Sequence, residues 1–264
     1  MIRWLKARSR SLGNIGGFLV LILGMFLLLI YNTEELGYHW QWYRIPRYFL
    51  SFSDGAILSG PLLQGLLVTC QITLASFLLA FAIGLTSALL RLSHSIVGRW
   101  VARGYLEIVR NTPLLVQIFF VYFVLGPILG ISRFFAAVLA LSLFEGAYAS
   151  EIIRAGIVSI PGEQWDAAYS LGLTKLGAYR KVILPQAIRW ILPPLTSQAI
   201  SLLKDSALVS TIAVYDLTMR GQEIISETYL VFEIWFTVAA IYLVLALLLS
   251  AAIHIMENRL RVPG

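Results

Sequence analysis

Glu145, Lys204 and Asp205 stand in this chain where charge is hardest to accommodate. Glu145 lies near the middle of an apolar run, 134–153, and Lys204 and Asp205 interrupt another, 190–212. A charge at mid-membrane costs about 2.5–3.5 kcal/mol on insertion scales, so it faces a partner or a wet cavity. Sequence neighbours on a helix point about 100° apart, so Lys204 and Asp205 cannot simply neutralise each other. Either they bridge to other helices, as in a Lys204–Glu145 pair, or they line a path for a small charged solute. Glu145 would hold an ammonium group by a charge-assisted hydrogen bond and would favour a solute with a cationic side chain. Gln64, Gln71, Gln117 and Gln198 are cheaper polar groups, equally able to join helices or to coordinate a zwitterion. Glu151, with Arg154 three residues further on the same face, suits a structural ion pair or an anchor at a helix end.

Catalytic chemistry finds no constellation here. His39, His94 and His254 have no ligand spacing, and the single cysteine, Cys70, lies within an apolar run, so no metal site is expected. A G-x-x-x-x-G-K-[ST] phosphate loop is absent, so the chain is not expected to hydrolyse ATP by that route, nor to be an enzyme.

The elements that must position these groups are membrane helices. Of 264 residues, 59% are apolar and only 13% charged, with mean hydropathy +0.81. A soluble surface needs roughly a quarter charged residues. Six spans are expected, at 15–31, 61–90, 113–125 (continuous with a run from Val101 and kinked at Pro113), 134–153, 190–212 and 232–254. The first is preceded by Arg3, Lys6, Arg8 and Arg10, and Tyr31-Asn32-Thr33 offers no signal-peptide cleavage site. Tyr38, Trp40, Trp42, Tyr43, Tyr48 and Phe49 then crowd a short stretch with Arg44 and Arg47. Such rings prefer the membrane–water boundary, which places the segment along the outer face. Beside a span this is a poor nucleic-acid stacking platform, and no nucleic-acid partner is expected.

Charge sets the orientation. One side of the six-span arrangement carries fifteen Lys/Arg and the other four: Arg44, Arg47, Arg133 and Arg220. The positive-inside rule puts the richer side, with both termini, in the cytoplasm.

On that side lies a polar island, 159–186. Pro161 suits a first helical position, and Glu163 and Asp166 favour a helix N-terminus. Gly172 is expected to stop that helix in a left-handed conformation. Thr174 can cap a second helix, which Pro185 is expected to end. Ala167 and Ala168 allow close approach of another surface.

Asp166-Ala167-Ala168, then Gly172, then Val182-Ile183-Leu184-Pro185 resembles the E-A-A…G…I-x-L-P loop of ABC importer permeases, with Asp166 for the usual Glu and Val182 for Ile. Three further stretches resemble the polar amino acid (histidine/glutamine/glutamate type) branch. They are Arg110-Asn111-Thr112-Pro113-Leu114-Leu115-Val116-Gln117, Ala147-Tyr148 through Gly156, and Lys204-Asp205 through Ser210. The likeness covers about 62–260. It implies an all-α integral membrane protein of the ABC type I importer permease fold with a five-helix core at 61–264, and the extra helix expected in 1–60 takes no support from it.

It also implies a multi-pass subunit of the bacterial inner membrane that pairs with a second permease subunit. Two separate ATPase subunits would hold ATP and Mg²⁺, and an extracytoplasmic solute-binding protein would deliver the amino acid. The island would be the coupling element, through Asp166, Ala167, Ala168, Leu171, Gly172, Leu173 and Pro185. Glu145, Tyr148, Gln117, Lys204 and Asp205 are the candidates for the translocation path. Two other classes are an ion-coupled secondary transporter, which would show internal inverted repeats, and a non-transporting scaffold, which would not need charges at mid-span.

Overall fold

The computed structural model describes residues 37–53 and 56–260 and part of 17–31. The expected first span at 15–31 lies partly outside the described residues. The chain divides into two compact units, Met1–Tyr43 and Arg44–Gly264. Within the first, the Trp40 and Trp42 rings stack 5.7 Å apart, and Tyr38 meets Trp40 edge-on at 5.6 Å.

A 3-10 turn (Trp42–Tyr48) spans the boundary in sequence, and the second unit continues into an antiparallel hairpin of β1 (Leu50–Ser53) and β2 (Ala56–Ser59), with Leu50 opposite Ser59. Ten helices follow. They are α1 (Pro61–Leu92), α2 (Ile96–Arg110), α3 (Leu114–Phe119), α4 (Gly126–Leu129), α5 (Arg133–Val158), α6 (Gly162–Ser170), α7 (Lys175–Ala178), α8 (Leu184–Asp205), α9 (Leu217–Thr228) and α10 (Val231–Leu260). Local chemistry sets several of their ends. Pro61 opens α1, where its missing N–H costs nothing. Ser95 accepts from the Gly98 N–H at 3.0 Å and caps α2, and Asp216 accepts from the Met219 N–H at 2.8 Å and caps α9.

α5 is the central helix, buried on nearly every side from Ala136 to Ile157. It packs on α1 along Ile72, Ser76, Ala80, Gly84 and Ala88, a row of four-residue steps on one face. Small residues let the backbones meet. A Cβ on Gly84 would lie 2.7 Å from the Ala149 Cβ and 3.0 Å from the Gly146 carbonyl oxygen. Ser142 donates its hydroxyl to the Val138 carbonyl at 2.5 Å and lies 3.2 Å from the Ser76 carbonyl. In lipid, where apolar contact alone gives helices little reason to associate, such close packing supplies the attraction.

α2 and the pair α3–α4 form a broken pair, bent by 108° across Asn111–Pro113, with the geometry of a broken span or a re-entrant loop. Gln117 staples the break: its Nε2 donates to the Val109 carbonyl (2.7 Å), the Thr112 carbonyl (3.0 Å) and the Thr112 hydroxyl (2.8 Å). A second cluster, with Ile45, Leu62, Leu217, Ile224, Leu230 and Ile234, ties the second half of the aromatic stretch to α1, α9 and α10.

Among the described residues three helices are long and apolar enough to cross a membrane: α1, α5 and α10, or four with the broken pair counted once. Six spans were expected. α8 has 22 residues but carries Arg189, Lys204 and Asp205. The expected fifth span, 190–212, is also not one α-helix. α8 ends at Asp205, a 3-10 turn covers Ser206–Ile212, and Ala213 takes a left-handed conformation, φ 55°.

If the α1–α5 seam sets the fold, Gly84→Val should destabilise the purified protein by about 1–3 kcal/mol, the usual cost of overpacking. Gly104→Val, where a Cβ meets nothing within 4 Å, should be near neutral. Thermal unfolding in detergent distinguishes them, and equal midpoints would count against the seam.

Candidate coupling element and translocation path

Two short helices with a joint make up the island. α6 begins at Gly162, so Pro161 precedes it as its cap and is not its first helical residue. Gly172 has φ +73°, the left-handed conformation expected of it. Thr174 caps α7, accepting from the Gly177 N–H at 3.2 Å. Pro185, however, ends nothing. α7 runs through a π turn (Tyr179–Ile183) into α8, and Pro185 sits in the first turn of α8, directly after the widened turn.

The island is braced from within. Gln186 donates to the Gln164 side chain at 3.1 Å, and Trp165 meets Tyr179 edge-on at 4.7 Å. Lys175 Nζ lies 3.3 Å from His94 Nε2 in the α1–α2 connection. Ala168 is buried, whereas Asp166 and Ala167 are exposed. Leu171 and Leu176 are 81% and 78% exposed, an apolar knob beside the Gly172 joint, with Leu173 half-buried beneath.

α5 carries the remaining groups on successive turns. Glu145 is 2% exposed. One of its carboxylate oxygens accepts from Gln198 Nε2 of α8, and the other, Oε1, is buried with no hydrogen-bond partner. The space beside it is about 10 Å³, walled by Phe77, Phe81, Leu195 and Leu202. A helix-joining glutamine is therefore its partner, not Lys204. Lys204 is exposed and Asp205 half-buried, and neither makes an ion pair among the described residues. Tyr148, one turn on from Glu145, has the Arg110 guanidinium 5.6 Å from its ring centre.

Glu151 does pair with Arg154, at 2.6 Å, as its spacing suggested. It also takes Arg91 of α1 at 2.5 Å. Sequence reading missed Arg91, whose only signal was its place at the end of an apolar run. A cleft of about 310 Å³ opens here between α1, α2 and α5. Structure thus brings Tyr148 to this cleft, Gln117 to the helix break, Glu145 to α8, and leaves Lys204 and Asp205 on α8 without an ion-pair partner.

Apolar helices interlocked through small residues, with charged groups between them and an exposed loop bearing an apolar knob, define a multi-pass membrane permease. Residues 80–262 match the family described as binding-protein-dependent transport system inner membrane component, and the chain belongs to that family.

It is 41% identical over 219 residues to the L-cystine transport system permease protein TcyB of Bacillus subtilis (strain 168), covering 82% of this chain and 92% of that protein. It is 37% identical over 204 residues to the glutamine transport system permease protein GlnP of Escherichia coli (strain K12), covering 76% and 93%. A crystal structure of an amino acid ABC transporter with histidines matches with TM-score 0.71 and 41% identity, covering 75% of this chain and 94% of that one. The inward-facing MetNI methionine ABC transporter, at 22% identity and TM-score 0.65, shares the fold, with 76% and 96% covered. The chain is a permease of the amino acid ABC transporter family, of the ABC type I importer fold.

The Glu145–Gln198 contact predicts an asymmetric response. Gln198→Leu strips a buried carboxylate of its one donor and should cost about 2–5 kcal/mol. Glu145→Leu with Gln198→Leu removes both groups and should recover most of that loss. A double-mutant cycle on detergent unfolding measures the coupling, and strictly additive effects would show that the two side chains do not interact.

Proposed function

We propose that this chain is the membrane-spanning subunit of an ATP-driven importer of polar amino acids, coupled through the island 159–186 to a separate ATPase. The observation that carries the reading is the pair of exposed leucines, Leu171 and Leu176, flanking the left-handed Gly172 joint. An apolar projection outside the membrane needs a receiving groove, and the family supplies one on its ATPase. Asp166, Ala167, Ala168, Leu173 and Pro185 shape the same surface. ATP and Mg²⁺ belong on that partner, present in two copies. A second permease subunit and an extracytoplasmic solute-binding protein complete the assembly. The fifteen-to-four charge asymmetry of the six-span arrangement supports a cytoplasmic island and cytoplasmic termini. Residues 1–60 add a helix and an aromatic outer-face segment to the core at 61–264.

In the path, Glu145 offers its unpaired oxygen to an α-ammonium group once the helices part, with Tyr148, Lys204 and Asp205 as further contacts. Gln117 acts by holding the helix break. The relatives are named for L-cystine and glutamine, which supports a polar amino acid here, and the acid at Glu145 suits a basic one.

The test is uptake into vesicles holding this chain with its ATPase and binding protein, offered labelled L-glutamine, L-cystine and L-arginine. Uptake of at least one is expected only with ATP. Accumulation driven by a proton or sodium gradient without ATP would replace this reading with the ion-coupled one. Gly172→Val forces a β-branched residue into a conformation costing about 1–2 kcal/mol. It should insert normally and lose transport-coupled ATPase, and full coupled activity would remove the joint from the mechanism. Maleimide should reach cysteines at 159–180 from the cytoplasmic side alone, and labelling from outside would overturn the orientation.

A further inference from the structure

The cleft between α1, α2 and α5 is not absorbed by that mechanism. It measures about 310 Å³ and is lined by Arg91, Arg103, Glu107, Arg110, Tyr148 and Glu151. That volume lies within the range of small-molecule sites. Arg91 and Glu151 are already satisfied by each other and by Arg154. Arg103 and Arg110 are not: neither makes an ion pair among the described residues. Arg103, Glu107 and Arg110 fall at i, i+4 and i+7 of α2, on one face. Arg103 and Glu107 nevertheless stay apart, and Glu107 Oε2 accepts instead from Asn111 Nδ2 at 3.1 Å. Arg110 is held over the Tyr148 ring, a cation–π contact that orients the guanidinium and leaves its edge N–H donors available.

We propose that this cleft is a second binding station for the carried amino acid, with the α-carboxylate on Arg103 and Arg110 and the α-ammonium on Glu107. The proposal rests on the amino acid transport reading above and extends it. The alternation of charge selects the ligand. A phosphate would be drawn by the arginines but repelled by Glu107 and Glu151, whereas a zwitterion meets both signs. Planar guanidinium groups suit a carboxylate in particular. Position agrees with charge. Glu145, Tyr148 and Glu151 sit on successive turns of α5, so the station lies one to two turns from Glu145 towards the island. The space at Glu145 is only about 10 Å³, too small for an amino acid while this cleft stands open. A solute released from Glu145 would meet the arginines next.

The experiment reads occupancy directly. Asn111 lines the cleft and touches the proposed contacts only through its bond to Glu107, so Asn111→Cys on a Cys70→Ser background, first checked for wild-type uptake, reports from within it. The full complex is placed in vesicles with the island side outward, and the maleimide labelling rate is followed. The ligand is L-glutamine, L-cystine or L-arginine, whichever the wild type accumulates, with L-glutamine if none is taken up.

Saturating amino acid should slow labelling at least threefold, and its decarboxylated amine should not. Adding Arg103→Gln and Arg110→Gln should raise the half-protecting concentration at least tenfold. Both side chains are exposed, so the fold should survive these changes. Absence of protection, equal protection by the amine, or an unchanged half-protecting concentration in the arginine variant would each overturn the station. Labelling that follows the phosphatidylglycerol content of the vesicles and ignores the amino acid would assign the cleft to a lipid headgroup and overturn it too. Protection in a complex that takes up no amino acid would sink the transport reading and leave the binding site standing.

Discussion

The close approach of α1 and α5 governs the rest of the structure. It is possible because Gly84 faces Ala149 and Gly146 with no side chain of its own, and because Ser76 and Ser142 turn their hydroxyl groups to nearby carbonyls. With α5 fixed in the middle, every polar group on it is aimed: Glu145 at α8, Tyr148 at α2, Glu151 at the end of α1. A wider spacing would leave Glu145 and Glu151 reaching across gaps, and a lone acid in hydrocarbon is among the costliest groups a helix can carry.

Polar groups in the bundle are used sparingly and in sets that close. Arg91, Glu151 and Arg154 form one such set, and Asp216, Thr218 and Tyr242 another, with Tyr242 3.1 Å from the Thr218 hydroxyl and 3.3 Å from Asp216. Thr69 of α1 accepts from the Leu217 N–H at 3.1 Å and anchors the same corner. These sets hold helices. Groups outside them include one oxygen of Glu145, Lys204, Asp205, Arg103 and Arg110, and these are candidates for contact with something that passes through.

Legibility in the sequence followed the range of the interaction. Gly172 and Thr174 were readable because a left-handed joint and a helix cap are decided within four residues. Glu151–Arg154 was readable for the same reason. Arg91 was not, because its partner is sixty residues away and no local pattern encodes that meeting. Glu145 was recognised as costly, but Gln198 was only one of several available donors until α8 was placed. Pro185 was misread because a proline that breaks one helix looks, in sequence, the same as one that opens the next. A π turn joined the two. The hairpin at 50–59 was hidden among aromatic residues, although Leu50-Ser51-Phe52-Ser53 alternates as a strand should.

α8 holds Pro193 and Pro194 side by side. Two consecutive ring closures remove the N–H groups that would have clasped the carbonyls of Arg189 and Trp190. Beyond them, Thr196 and Ser197 turn their hydroxyl groups back onto the Leu192 and Pro193 carbonyls, which then serve side chains as well as the backbone. The backbone ladder of α8 is thus thinnest over about one turn, between the limb that leaves the island and the limb that bears Gln198. A helix bends most readily where its ladder is interrupted, and Gln198, the donor to Glu145 among the described residues, is mounted beyond that point.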